Sequence, residues 1–207
     1  MEEGIMSTQP KHLLTPEEYL EIDRKAEYKS EYYNGEMFAM SGGVSVHNLI
    51  SGHLVFLLNL ELRSRPCFVY NSDMRVRVSR TGLYTYPDVT VICGERQFLD
   101  DRHDTLLNPA VIIEVLSPST EAYDRGRKFE HYRSLESLRA YLMFASDRIH
   151  CDLFTRQTSG SWVLAEADGP EATIELEAIG GRLKLGEVYE KAAAEILQPP
   201  TAGSGLY

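Results

Sequence analysis

The run Ala110-Val111-Ile112-Ile113-Glu114-Val115-Leu116 constrains this chain more than any other segment. Six of its seven residues are apolar, and most of those are β-branched. Such a run reads as a strand covered on both faces, the kind found at the centre of an α/β sheet. A carboxylate in the middle of it costs several kcal/mol unless it is paired, protonated or bound to a metal. Glu114 is therefore either half of a buried ion pair, with Arg75 or Arg77 as partner, or a metal ligand.

The rest of the chain builds an α/β pattern around that strand. Thr15 reads as an N-cap, with Pro16 at the first helical position and Glu17 and Glu18 in the first turn. Asn34-Gly35 is a hairpin signal between Glu31-Tyr32-Tyr33 and Met37-Phe38-Ala39. Leu49, Ile50, Leu54, Leu57 and Leu58 recur at helical spacing, which predicts a helix over 47–63. Phe68-Val69-Tyr70, the segment 74–78 and the segment 88–92 read as strands. In the second of these, Met74, Val76 and Val78 alternate with Arg75 and Arg77, so the arginines are expected on a wet face. Residues 94–108 read as a polar loop. Ser117-Pro118-Ser119-Thr120 ends the central strand and caps a helix running to about residue 135. Strands are expected at 141–144, 150–154 and 161–165, with a turn at Gly160, and a last short helix at 185–196. No repeat or linker interrupts the chain. One domain over 13–197, with a leader at 1–12 and a tail at 198–207, is the economical reading.

The second unusual acid is Asp88, which follows Pro87 at a strand entry. Alone, Pro-Asp is a plain turn. With Glu114 on a neighbouring strand, it makes a pair of hard oxygen ligands at one sheet edge, suited to Mg²⁺ or Mn²⁺. Such an ion polarises a phosphoryl oxygen and acidifies a bound water. A lysine two residues after the glutamate would share its strand face, but that position is Leu116. The next helix offers Asp124, Lys128 and Tyr132 at four-residue steps along one face. Lys128 there either reaches back to Glu114 or forms an exposed pair with Asp124. Glu31 is a candidate to complete the site. His47, at a helix start after a glycine loop, is a candidate phosphate contact, as are Arg75, Arg77 and Tyr132.

The net charge of −10 argues against a protein that coats nucleic acid with its whole surface. It leaves room for a metal-dependent nuclease, whose ligands are themselves acidic. No stretch approaches the roughly 20 apolar residues of a membrane helix, and the polar, acidic N-terminus lacks the features of a signal peptide. A cytoplasmic protein without a membrane partner is expected. Cys67, Cys93 and Cys151 are odd in number, far apart and without a Cys-x-x-Cys pair. They read as buried free thiols rather than as a disulfide or zinc site. A serine hydrolase is disfavoured because no Gly-x-Ser-x-Gly elbow is present.

Taken in order, Tyr86-Pro87-Asp88-Val89-Thr90-Val91, then Asn108-Pro109 and Ile113-Glu114-Val115-Leu116-Ser117-Pro118-Ser119-Thr120, then Asp124, Lys128 and Tyr132 resemble the Uma-two family. That family has restriction-endonuclease character and lies within the PD-(D/E)XK nuclease superfamily. The early segments Glu17-Glu18-Tyr19-Leu20, Glu31-Tyr32-Tyr33-Asn34-Gly35-Glu36, His47-Asn48 and Ser72-Asp73-Met74-Arg75-Val76 fit as well. The resemblance implies a restriction-endonuclease-like core, a mixed central β-sheet flanked by helices. It implies that Asp88 and Glu114 bind Mg²⁺ or Mn²⁺, that Glu31 is the first acidic position, and that the lysine has moved into the following helix, to Lys128. It implies a nucleic acid, DNA in the first instance, as substrate; a homodimer is expected because enzymes that cut both strands often work as pairs and C₂ dimers are the commonest assembly. A member that keeps the fold as a non-catalytic binding or assembly module is the alternative.

Overall fold

The computed structural model describes residues 13–197, and the leader and tail expected from the sequence lie outside the described residues. The chain opens with α1 (Pro16–Asp23). Its start is a full capping box: Glu18 N–H donates to Thr15 Oγ1 at 3.2 Å, and Thr15 N–H donates to Glu18 Oε2 at 2.8 Å. A hairpin follows, β1 (Ser30–Tyr33) and β2 (Glu36–Ala39). Asn34 and Gly35 turn it with φ of 50° and 84°, the left-handed pair that a two-residue hairpin needs. Next come α2 (Ser45–Glu61), β3 (Cys67–Asn71), β4 (Arg75–Val78), β5 (Leu83–Thr85), β6 (Val89–Cys93), β7 (Thr105–Leu106) and β8 (Val111–Val115). The helical segment after β8 is α3 (Glu121–Tyr123), a π turn (Asp124–Lys128) and α4 (Phe129–Tyr132). The chain ends with β9 (Ala140–Phe144), β10 (His150–Arg156), β11 (Trp162–Asp168), β12 (Thr173–Leu176), β13 (Gly181–Lys184), α5 (Leu185–Val188) and α6 (Ala192–Leu197).

The apolar run at 110–116 is the middle of a six-stranded mixed sheet ordered β11-β10-β9-β8-β6-β3, in which only β8 and β9 are parallel. Period-two alternation sends Val111, Ile113 and Val115 to one face, against Ile50, Leu54 and Leu58 of α2 and the apolar side chains of β12, β13 and α5. Ile112 and Leu116 point to the other face, against Tyr132, Leu135 and Leu138 and a second sheet ordered β2-β1-β5-β4-β7. Glu114 shares that second face. Every residue of β8 is buried, as a strand covered on both sides should be.

Three expectations change. Residues 94–108 contain β7, which pairs in parallel with β4, so the segment is only partly loop. Arg75 is buried, because α1 and the Tyr86 and Thr105 side chains cover the side of β4 expected to be wet. Cys67 and Cys93 form a disulfide. The antiparallel register of β3 and β6 sets them directly opposite each other, with Cα atoms 4.0 Å apart, a juxtaposition invisible in their sequence separation of 26. Cys151 is a buried free thiol, as read. Among the described residues no helix is long and apolar enough to cross a membrane.

Candidate active site

Register brings the two key acids together. Val89 pairs with Ile113 across β6 and β8, so the residue before one faces the residue after the other. Asp88 thus meets Glu114. The Val115 N–H donates to Asp88 Oδ2 at 2.8 Å, and the Asp88 N–H lies 3.4 Å from Glu114 Oε2. These contacts lock both carboxylates to the central strands. Pro87 cannot donate to a ladder, which suits it to the entry of β6.

Lys128 closes the cluster from the helical side. Its Nζ lies 3.2 Å from Glu114 Oε1, 3.2 Å from Asp124 Oδ1 and 3.4 Å from Glu31 Oε1. The exposed Asp124–Lys128 pair offered by spacing alone is therefore not what forms: both residues are buried. The π turn explains how. Four-residue steps drift by about 40° each on an α-helix, so Asp124, Lys128 and Tyr132 would spread over about 80°. A π turn closes i→i+5 and winds more slowly. All three side chains therefore stay on the buried face. Leu116, where a strand-borne lysine would sit, is buried among apolar neighbours, so the ammonium has to come from the helix.

The partners of each group are specific. Tyr132 donates to Glu114 Oε1 at 2.8 Å. Thr85 donates to Glu31 Oε1, and Tyr123 donates to Glu31 Oε2 at 3.2 Å. His47 Nε2 lies 3.1 Å from Asp88 Oδ2, at the more open side of the cluster. A Cβ on Gly43 would meet the His47 ring at 2.5 Å, so the glycine loop before α2 makes room for that imidazole.

Burial pushes the Glu114 carboxyl up to about 8; Lys128 pulls it down, and Asp124 and Asp88 add to the rise. Burial also raises Asp124, with Lys128 opposing it. For Lys128 burial acts downward, but the fields of Glu114, Tyr132, Glu31 and Asp124 outweigh it and hold the ammonium well above its usual range. The hydrogen bond to Asp88 raises His47, against the effect of its burial.

The sequence-derived candidates divide cleanly. Glu31, Asp88, Glu114, Lys128 and His47 converge. Tyr132 is fully buried, so its hydroxyl holds Glu114 rather than meeting a substrate. Arg75 is 3% exposed and donates to Asp23 at 2.6 Å and to Tyr86 and Thr105, so it is no phosphate contact. Nor does either strand arginine pair with Glu114: Arg77 stacks over the Tyr84 ring at 5.4 Å. Asp124, Tyr123 and Thr85 were missed as site members. The four-residue spacing of Asp124 and Lys128 was the available signal, and an exposed helix pair has the same spacing.

A hard divalent cation fits this donor set. Four carboxylates (Glu31, Asp88, Glu114 and Asp124) face one ammonium and one imidazole. A formal excess of two negative charges remains even with His47 protonated. Asp124 Oδ1 is buried and faces the Lys128 ammonium at 3.2 Å, with no further hydrogen-bond partner among the described residues. Asp88 Oδ1 and Glu114 Oε2 are the oxygens least engaged by neighbours, and Mg²⁺ needs only one or two carboxylates, the rest being water and substrate. A separate group, His150, Asp152 and Glu166, can bring three ligand atoms within 4.8 Å of one another. It arises from the β10–β11 register, which sets His150 opposite Asp168 and Asp152 opposite Glu166. Both nitrogens of His150 are already engaged by Asp152 and Asp168, at 3.1 and 2.7 Å.

The family model described as "Uma2: Putative restriction endonuclease" matches residues 16–185. The chain belongs to the Uma2 family. Two uncharacterized proteins of Synechocystis sp. are similar to it: one is 37% identical over 182 residues, covering 87% of this chain and 93% of that protein. The other is 35% identical over 163 residues, covering 79% and 92%. Among solved structures, "a putative nuclease belonging to DUF820" from Anabaena variabilis superposes with a TM-score of 0.70. It covers 85% of this chain and 97% of its own at 17% identity, which shows that the two share this mixed α/β fold. The Uma2 match ends at residue 185 and includes every member of the cluster.

Proposed function

We infer that this Uma2 protein hydrolyses phosphodiester bonds in nucleic acid, DNA in the first instance, with Mg²⁺ or Mn²⁺ held by Asp88 and Glu114. One observation carries the reading: a single ammonium, Lys128, lies within 3.4 Å of three carboxylates, one of them Glu114 of the strand-locked pair. When bound, the ion would polarise a phosphoryl oxygen and acidify a water.

The protein's own groups divide the remaining work. The Val115 amide and His47 hold Asp88 Oδ2, and Tyr132 and Lys128 hold Glu114 Oε1, so Asp88 Oδ1 and Glu114 Oε2, the latter 3.4 Å from the Asp88 N–H, are the oxygens that would take the ion. Glu31, fixed by Thr85 and Tyr123, positions the Lys128 ammonium, which offsets charge that develops on the phosphate. His47, with 18% of its side chain exposed, is the cation nearest the open side and suits a phosphate contact.

The test is incubation of DNA with Mg²⁺ or Mn²⁺, comparing wild type with Asp88→Ala. Cleavage by the wild type alone is expected; equal cleavage by both ends this mechanism. A non-catalytic module is the second reading, because Lys128 and His47 already satisfy one oxygen of each key carboxylate. Calorimetry separates the two: an intact fold that binds no divalent cation favours the module. Cleavage of both strands of a duplex calls for two copies, and a C₂ dimer in the cytoplasm is part of this proposal; sedimentation measures it.

A further inference from the structure

A groove of about 720 Å³ opens on the outer flank of α4, away from Lys128 and Tyr132. Its walls come from the β4–β5 turn, α4 and the β10–β11 turn, and include Arg80, Phe129, Glu130, Arg133 and Trp162. A smaller recess shares Thr81 and Glu130 with it and adds Arg127. The two are therefore continuous around the helix that carries Lys128.

Three features distinguish this groove. First, the guanidinium groups of Arg80, Arg127 and Arg133 are exposed and make no hydrogen bond or ion pair among the described residues. Against them stands one carboxylate, Glu130, so the groove carries a local excess of two positive charges on a chain of net −10. Second, the wall between the arginines is aromatic. Trp162 stands edge-on to Phe129, centroids 5.4 Å apart, and both are only partly buried. Third, Arg156 stacks over Trp162 at 5.7 Å, which fixes the indole in place. Free guanidiniums alternating with a fixed aromatic surface are what a single nucleic-acid strand requires: charge for phosphates and π faces for unstacked bases. A duplex offers no exposed base face to such a wall.

We propose that this groove binds a single-stranded nucleic-acid segment, with phosphates on Arg80, Arg127 and Arg133 and a base against Trp162. The proposal rests on the nucleic-acid reading of the family site and adds a second binding surface to it. The groove lies at the end of the central sheet remote from Asp88. There β10 ends at Arg156 opposite the start of β9, while the carboxylates sit at the finish of β8. An unpaired strand held there would leave the bond to be cut several nucleotides away.

Trp162 is the only tryptophan in the chain, so its fluorescence reports the groove directly. The experiment titrates the full chain with a thymidine 12-mer in EDTA, where metal-dependent cleavage is off, over a range of NaCl. Saturable quenching is expected, with a log–log salt slope near −2 for three phosphate contacts. Arg80→Gln and Arg133→Gln should each reduce that slope by about 0.7. Trp162→Ala should weaken binding about 5- to 150-fold, measured by anisotropy of a labelled 12-mer. Absence of quenching and binding, equal or tighter binding of the matching duplex, or arginine variants that leave the slope unchanged would each overturn the proposal. Melting curves confirm that these surface variants fold; should one not fold, loss of wild-type binding in 1 M NaCl supplies the same electrostatic test. The outcomes remain distinct from those at the metal site. Groove binding without Asp88-dependent cleavage removes the nuclease reading alone, and cleavage without groove binding removes this proposal alone.

Discussion

Replacing Lys128 with Met removes the one ammonium that holds Glu31, Glu114 and Asp124 together. At an effective dielectric of about 20, each contact near 3.3 Å is worth about 5 kcal/mol before desolvation. Burying the ammonium cancels most of that sum. The Glu114 carboxyl, already pushed up to about 8, can also escape by taking a proton. The net loss should therefore fall near the 3–5 kcal/mol typical of a buried pair broken from one side. For a chain of this size that corresponds to a melting shift of about 6–20 °C. Urea denaturation of wild type, Lys128→Met, Glu31→Gln and the double variant measures it. The double variant should recover about 0.5–3 kcal/mol relative to additivity, because the two residues share a contact at 3.4 Å. A loss below about 1 kcal/mol, or strict additivity, would mean that Lys128 is an ordinary surface lysine and would refute the buried-cluster reasoning.

Reducing the Cys67–Cys93 disulfide should cost about 3.5 kcal/mol on the chain-entropy estimate for its separation of 26 residues, seen as a lower urea midpoint in dithiothreitol. Cys67→Ser/Cys93→Ser should lose its sensitivity to reductant; an unchanged midpoint in the wild type would contradict the bond. Burial lowers His131, and Arg127 adds to that, while Glu130 and Glu31 oppose it; the Tyr33 ring packs against it at 4.7 Å. Its contribution to stability should be complete above about pH 6.5, the unfolded value, and be lost as pH falls through the lower folded value. His131→Gln should flatten that part of the stability–pH curve, and an unchanged slope would count against the shift. Gly35→Ala should cost about 1–2 kcal/mol in thermal melts, since its φ is 84° and the new Cβ would lie 2.7 Å from the Leu13 side chain.

Much of the site was legible because burial makes charge conspicuous. Glu114 stands out in an apolar strand, Asp88 at a strand entry, and the Thr15-Pro16 helix start and Asn34-Gly35 turn announce their own geometry. What stayed hidden depended on register and on what covers each face. Arg75 alternates with Val76 as a wet residue would, yet α1 encloses it with Asp23 and Tyr19. The Cys67–Cys93 bond needs the β3–β6 pairing before the two thiols are neighbours. The π turn leaves no mark in composition, although it decides that Asp124, Lys128 and Tyr132 face inward together. β12 and β13 are short and paired only with each other, so their alternation was too brief to read.

The most direct test of the metal centre is a calorimetric titration of Mn²⁺ into the full chain and into Asp88→Asn, Glu114→Gln and Asp152→Asn. Binding by the wild type and by Asp152→Asn, with loss in the Asp88 and Glu114 variants while all four remain folded, is the expected result. Binding that survives at Asp88→Asn and Glu114→Gln but disappears in Asp152→Asn would move the cation to His150, Asp152 and Glu166 and contradict the account.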